Sequence, residues 1–331
     1  MFAIQAAVSV VTAGLFASIF NIHLPMQVIT AVILIIAMIV LVLGRYAALD
    51  IIIKWVIIAL ALSTIVAVIY AFGAGFFDKS SLSGNFDWSK HADILFLIAF
   101  VGWMPAPIDV SVWHSLWSLA KEDQLGKRPA LKQVLLDFNI GYIGAAVLAV
   151  GFLSLGALIM FGSGEQLSPA GVVFSGQLIK MYTHSIGDWA YPVIAIAALT
   201  TMISTTITCL DAYPRVLSHS TVLLFPKTKR LNNYSKKLYW IWGLIVVAGS
   251  LLLLGYLSGS MGFMVDLATT ISFVTAPVLA ILNFRVITHN HVPAEARPKK
   301  WLIVYAWMGI VFLSGFSLFY IFWQFVLPMF R

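Results

Sequence analysis

The sequence predicts an all-α polytopic membrane protein with about nine transmembrane helices. Hydrophobic residues make up 61% of the 331 residues and charged residues only 10%, with a mean hydropathy of +0.97. A soluble domain carries about 25% charged residues. The apolar stretches are also far longer than barrel strands and lack their alternation. We therefore interpret residues 1–331 as a single transmembrane domain in the lipid bilayer.

Each predicted span approaches or exceeds the roughly 20 residues that a helix needs to cross the hydrocarbon. The nine predicted spans are Phe2–Phe20, Met26–Leu43, Ile51–Phe72, Ile94–Leu119, Val134–Phe161, Tyr191–Leu210, Leu238–Leu257, Met261–Ile287 and Trp301–Leu327. Between the fifth and sixth spans, the segment Pro169–Tyr182 is amphipathic, and we expect it to lie at the surface.

The loop charges predict the orientation of these spans. One side of the membrane holds 16 of the 20 Lys and Arg residues, whereas the other side holds only Lys79, Lys90, Lys180 and Arg331. Cytoplasmic loops carry an excess of basic residues. We attribute the net charge of +7 to such loops, which face anionic lipid headgroups. We expect a plasma (inner) membrane protein with a cytoplasmic amino terminus.

The fourth span is interrupted in its middle by Gly102-Trp103-Met104-Pro105-Ala106-Pro107. Pro105 and Pro107 lack backbone N–H groups and move the residues before them away from helical geometry. Within hydrocarbon, such a break persists only where it is buried in protein or lines a cavity. Secondary transporters place substrate and ion sites at discontinuous helices of this kind. Because the thioether of Met104 prefers soft transition metals, the break indicates a metal-ion transporter.

These residues resemble a known family. Gly102-Trp103-Met104-Pro105 in a broken span is similar to the Met-Pro motif of the Nramp family of divalent-metal transporters. Ser9-Val10-Val11-Thr12-Ala13 resembles the family's third helix, and Leu43-Gly44-Arg45-Tyr46 resembles the end of its fourth. Asp137 stands where the family has an acidic residue opening its seventh helix. The resemblance covers essentially the whole chain, as family helices three to eleven.

The resemblance implies a LeuT-like inverted-repeat architecture and transport of Mn²⁺ or Fe²⁺. It implies that the Met104 side chain and the Val101 backbone carbonyl bind the metal. The family usually has a His two residues after the Met, where this chain has Ala106, so proton coupling stays open. At a tenth-helix position where the family often has Gln, the chain has Thr269.

The family's first helix carries an Asp-Pro-Gly-Asn break whose Asp and Asn bind the metal, and this segment does not occur in the sequence. The resemblance thus implies that the first two helices are lacking. We expect the chain alone not to transport metal, because only one of two facing broken helices is encoded.

Four residues, Asp109, His114, Asp137 and Thr269, are candidates for a proton or cation path, and the first two each have a structural alternative. Asp109 follows the break, where it either attracts cations or complements the positive end of the second half-helix. His114 lies on the same half-helix and either titrates or packs between helices. Asp137 and Asp266 are weaker candidates.

The sixth span contains a run of hydroxyl residues, which either packs helices together or lines an ion path: Thr200, Thr201, Ser204, Thr205, Thr206 and Thr208. Asp211 and Arg215, four residues apart, predict an ion pair. No phosphate loop, Cys/His cluster or nucleophile–base pair occurs, so we predict no enzyme, no cofactor and no nucleic-acid partner. The alternative functions are a cation-coupled amino-acid symporter of the same architecture and a transport-inactive fragment.

Overall fold

The computed structural model describes residues 1–43, 46–74, 86–104, 106–160, 168, 171–225, 234–256 and 261–323. Gly44, Arg45, Lys79, Pro105 and Arg331, which entered the predictions above, lie outside these residues. Within the described part of the chain all regular structure is helical. The α-helices are α1 (Phe2–Phe20), α2 (Met26–Val42), α3 (Tyr46–Ala74), α4 (His91–Trp103), α5 (Val110–Leu125), α6 (Leu131–Leu155), α7 (Gly171–Ile186), α8 (Tyr191–Leu224), α9 (Tyr234–Tyr256), α10 (Met261–Thr288) and α11 (Lys300–Ile321).

Among the residues that the structure describes, six helical segments are long and apolar enough to cross a membrane. They are Phe2–Phe20, Leu131–Ile159, Asp188–Leu224, Lys237–Tyr256, Gly262–Thr288 and Lys300–Ile321, and three shorter apolar segments are Met26–Val42, Ile57–Gly73 and Asp93–Trp103. The chain is thus a helical, multi-pass membrane protein, as its composition predicts. The number of nine spans stays a prediction.

The chain folds into two compact units. The first unit comprises Met1–Asn85 and Val147–Val265, and the second comprises Phe86–Ala146 and Asp266–Arg331. Two of the three boundaries between the units fall within helices, in α6 and α10, and the third falls between α3 and α4.

Helix α1 is the centre of the first unit and contacts α2, α7, α8 and α9. It is rich in Ala, Gly and Ser, which let neighbouring backbones approach closely in a membrane. A Cβ atom placed on Gly14 would lie 2.7 Å from the carbonyl oxygen of Gly171 on α7. Only glycine fits at this contact, so α1 and α7 pack backbone to backbone.

Helix α7 corrects the expectation of a surface-lying segment at Pro169–Tyr182. Its Ile179, Met181 and Tyr182 are buried in a core that α1, α3 and α8 also form. The Tyr182 hydroxyl lies 3.0 Å from the Thr64 hydroxyl of α3, and burial raises the pKa of Tyr182 to about 12. The amphipathic pattern therefore reflects packing against neighbouring helices, since a buried face and a lipid-surface face have the same periodicity.

The second unit is built around the contact between α4, α10 and α11. Its core contains Ile94 and Ile98 of α4, Phe273 of α10 and Tyr320 of α11. The Ser317 hydroxyl of α11 also donates to the Phe273 carbonyl oxygen, at 3.4 Å. These contacts place the carboxyl end of α4 against the middle of α10.

Candidate functional site

The predicted fourth span is two separate helices. Helix α4 ends at Trp103, and Met104 follows in an extended conformation with φ −104° and ψ 119°. Helix α5 begins at Val110, after Pro107 and a turn. Met104 is partly buried, as are Ala106 and Pro107. The interruption therefore coincides with the Met-Pro motif.

Backbone carbonyls at the end of α4 lose their helical partners. In a continuous helix the Val101 carbonyl accepts from residue 105 and the Trp103 carbonyl from residue 107, yet both of those residues are proline. The last carbonyls of a helix also carry its negative partial charge. The end of α4 thus presents oxygen acceptors beside the Met104 thioether.

The start of α5 is a tight turn that satisfies its own first donors. Its backbone N–H groups donate three residues back, from Val110 to Pro107 at 3.2 Å, from Ser111 to Ile108 at 3.1 Å and from Val112 to Asp109 at 3.0 Å. These donors are occupied, so the end of α5 acts on a ligand mainly through its dipole.

Asp109 occupies the first position before α5 but does not cap the helix. Its side chain makes no capping hydrogen bond, and its Oδ1 atom is buried without a hydrogen-bond partner. A carboxylate oxygen withdrawn from water without a partner is costly, and the cost falls when a cation or a proton neutralises it. The break therefore holds a carboxyl group with one buried oxygen that lacks a hydrogen-bond partner.

Helix α10 contacts both halves of the interrupted span, α4 and α5. A Cβ atom on Gly102 would overlap the carbonyl oxygen of Thr269, and the Trp103 indole N–H donates to the Ser272 hydroxyl at 3.0 Å. Further along α10, the Asn283 amide donates to the Ser111 hydroxyl of α5 at 2.7 Å. Pro277 lies between these two attachment points, inside α10.

Thr269 faces the break through its backbone. Its side chain is buried, and its hydroxyl donates to the Asp266 carbonyl oxygen at 3.0 Å. The close approach to Gly102 is made by the Thr269 carbonyl oxygen. Sequence comparison alone could not distinguish these two faces of the residue.

His114 and Asp137, two further predicted path residues, are both exposed. The exposed His114 ring packs edge-on against Phe138 of α6, with ring centroids 5.5 Å apart, and against Trp117 of α5, at 6.1 Å. Asp137 is exposed on α6. Val101 packs against the Ile94 core with its side chain, which leaves only its carbonyl for a ligand.

The hydroxyl run on α8 contributes to helix packing in the first unit. The Thr206 and Thr12 hydroxyls lie 2.8 Å apart, across α8 and α1, and Thr12 also donates to the Met202 carbonyl oxygen at 3.1 Å. Sequence reasoning missed Gln5, which is fully buried and donates to the Ser9 hydroxyl at 3.1 Å. The sequence feature that could have identified Gln5 is an amide side chain inside a predicted membrane span, because burying a polar group in the membrane costs free energy.

The predicted ion pair between Asp211 and Arg215 is confirmed, and it lies within α8, which continues to Leu224. The Arg215 guanidinium donates to both carboxylate oxygens of Asp211, at 2.7 and 3.0 Å from the same nitrogen. The Tyr239 hydroxyl of α9 donates to Asp211 at 2.7 Å, and its ring lies 5.8 Å from the guanidinium carbon. The pair therefore links α8 to α9.

Comparison with known proteins gives one informative relationship. No protein-family model matches the chain. Over 320 residues, which cover 96% of the chain, it is 33% identical to the uncharacterized protein PM0681 of Pasteurella multocida (strain Pm70), and the match covers 71% of that protein. At this identity and coverage, the chain belongs to the same family as PM0681.

Proposed function

We propose that this protein is a secondary transporter of divalent transition-metal ions, with Mn²⁺ or Fe²⁺ as cargo, and that it is related to the Nramp transporters. One observation carries the proposal. A predicted span is interrupted at Met104, between the carboxyl end of α4 and Asp109, whose buried Oδ1 atom has no hydrogen-bond partner.

The donor set at the break favours a transition metal. The Met104 sulfur is a soft ligand, and the Val101 carbonyl supplies an oxygen from the end of α4. Mg²⁺ and Ca²⁺ prefer shells made entirely of oxygen, so a thioether contributes selectivity against them.

The electrostatics of the break also favour a cation. The last carbonyls of α4 carry negative partial charge, and Asp109 adds a formal charge beside the positive end of α5. A dehydrated divalent ion within the membrane requires such compensation. In this proposal the ion and Asp109 neutralise each other, which explains why the carboxylate oxygen has no protein partner.

The proposed inverted-repeat architecture rests on the resemblance, which assigns α1 and α2 to the third and fourth helices of one repeat, and α8 and α9 to the third and fourth of the other. In the first unit each of these four helices contacts the other three, so they form one bundle.

An amino-acid symporter is the alternative on the same architecture. Such a transporter binds the substrate carboxylate at the amino end of a half-helix. Here that end holds Asp109, whose charge repels a carboxylate. The position of this one side chain therefore favours a metal cargo.

The direct test is uptake by a manganese-uptake-deficient bacterium that expresses the chain joined to an upstream two-helix segment with the Asp-Pro-Gly-Asn break, beside cells that express the 331 residues alone. With the added segment we expect saturable ⁵⁴Mn²⁺ uptake that excess Fe²⁺ or Cd²⁺ inhibits and that excess Ca²⁺ or Mg²⁺ does not, whereas the resemblance implies none for the 331 residues alone. The same cells, offered a panel of radiolabelled amino acids, should accumulate none above the empty-vector control. Amino-acid uptake without Mn²⁺ uptake would show that the symporter is the correct function.

A further inference from the structure

We propose that His289 and His291, in the segment that follows α10, bind a divalent transition-metal ion. Their Nδ1 atoms lie 2.6 Å apart and their ring centroids 4.6 Å apart. Both side chains are exposed. Two imidazole nitrogens therefore converge on one point that solvent ions can reach, and this site does not depend on the proposed transport.

The two rings share one proton in a hydrogen bond between their Nδ1 atoms. At 2.6 Å, one Nδ1 must carry a proton and the other must accept it. The backbone N–H of His291 also points at His289 Nδ1, at 3.3 Å, so the His289 nitrogen is the acceptor. A metal ion can take the place of the shared proton if that proton passes through solvent to Nε2 of His291, so that both Nδ1 atoms present lone pairs. With metal–nitrogen bonds of about 2.0–2.1 Å, the two nitrogens would be roughly 3.3 Å apart, which small ring rotations achieve.

The backbone around the two imidazoles is held in place by Arg297. Its guanidinium donates to the carbonyl oxygens of Asn290 and Val292, at 3.0 and 2.9 Å. The Val292 N–H in turn donates to the His289 carbonyl oxygen at 3.1 Å, which closes the turn. A turn that is ordered before binding loses less conformational entropy when an ion arrives.

The donor chemistry defines the class of ion. Imidazole nitrogen suits Zn²⁺, Cu²⁺ and Ni²⁺, whereas Mg²⁺ and Ca²⁺ prefer oxygen ligands. In the described part of the chain no group of three or more His, Cys, Asp or Glu side chains converges, so water completes the coordination shell of this two-histidine site. The nearby Arg297, Lys299 and Lys300 repel a cation, which predicts modest affinity.

The test uses the full chain purified in detergent without a polyhistidine tag and titrated with Cu²⁺. Electron paramagnetic resonance should show coupling to two imidazole nitrogens at one equivalent of Cu²⁺. His289→Ala or His291→Ala should reduce this to one nitrogen and weaken binding by at least about tenfold. His219→Ala is the matched control, because His219 is also exposed and its ring contacts only the Arg215 carbonyl oxygen among the described hydrogen bonds.

Two results would overturn the site. One is a two-nitrogen signal that persists in the His289→Ala/His291→Ala double variant, and the other is displacement of Cu²⁺ by millimolar Mg²⁺. Helical circular dichroism of each variant verifies that it is folded. Met104→Ala should leave the signal unchanged, so failure here is distinguishable from failure of the transport proposal.

Discussion

Polar groups lie inside apolar segments at two places, the α1–α8 contact of the first unit and the helix break of the second unit. The two places differ in the charge of these groups. In the first, the polar groups are neutral, and Thr12 and Thr206 bond to each other across helices. Gln5 and Thr201 each keep one unpartnered atom there. In the second, the unpartnered atom belongs to the carboxylate of Asp109.

The free-energy cost of burying a polar group without a partner differs between a neutral group and an ionised one. A neutral buried group without a partner costs about 1–3 kcal/mol, which helix packing can offset. An ionised carboxylate costs far more, and it either binds a proton or requires a cation. Polar groups in the first unit are therefore consistent with a packing role, whereas the proposed function assigns the carboxylate of the second unit to a bound cation. The following predictions test this contrast.

The largest effect is expected for Gly102→Ala. The new Cβ would overlap the Thr269 carbonyl oxygen, which is backbone and cannot rotate away, so the end of α4 must shift. We expect loss of Mn²⁺ uptake and a decrease of about 1–3 kcal/mol in the free energy of unfolding. Gly141→Ala in α6 is the control, because its Cβ would meet nothing within 4 Å, and it should be neutral or slightly stabilising. Equal behaviour of the two variants would contradict the close approach of α4 and α10.

The second prediction concerns selectivity. Met104→Ala should weaken Mn²⁺ or Cd²⁺ binding by about tenfold or more and allow Ca²⁺ or Mg²⁺ to compete, because the soft ligand is removed. Competition assays on the purified protein measure this. Met308→Ala on α11, an exposed methionine, should bind like the unmodified protein. Unchanged Ca²⁺ competition after Met104→Ala would remove Met104 from the site.

The third prediction separates two roles of Asp109. If its charge attracts the cation, Asp109→Asn should lower metal affinity or metal-evoked proton uptake. If it serves only the start of α5, Asn should have little effect, since Asn also suits helix amino ends. Asp123→Asn, which removes an exposed carboxylate near the carboxyl end of α5, is the control and should be silent. Metal affinity and proton uptake like those of the unmodified protein would favour the structural role.

The smallest effect is expected in the first unit. Thr12→Val and Thr206→Val, combined in a double-mutant cycle, should give a coupling energy of about 0.6 kcal/mol, typical of interhelical hydrogen bonds in membranes. The variants should leave the preference for Mn²⁺ over Ca²⁺ unchanged. A change in metal preference would show that this polar contact belongs to an ion path.

Local patterns in the sequence predicted the break and the Asp211–Arg215 pair, because both depend on residues close in the chain. Proline chemistry alone locates the interruption near Met104. The burial of Gln5 and the attachment of Gly102 to Thr269 could not be predicted, since they join helices distant in sequence. For α7, the apolar face was visible, but nothing local indicated which neighbours would cover it.

The attachment of the interrupted span to α10 has a mechanical consequence. Trp103 is bonded to Ser272, before Pro277, and Ser111 is bonded to Asn283, after it. Proline is the usual site of helix bending, because it removes one backbone hydrogen bond. A change in the bend at Pro277 would alter the distance between the two half-helices while each kept its own contact. The break could then open to either side of the membrane in turn, so substitutions at Pro277 would affect the rate of turnover more than the affinity for the ion.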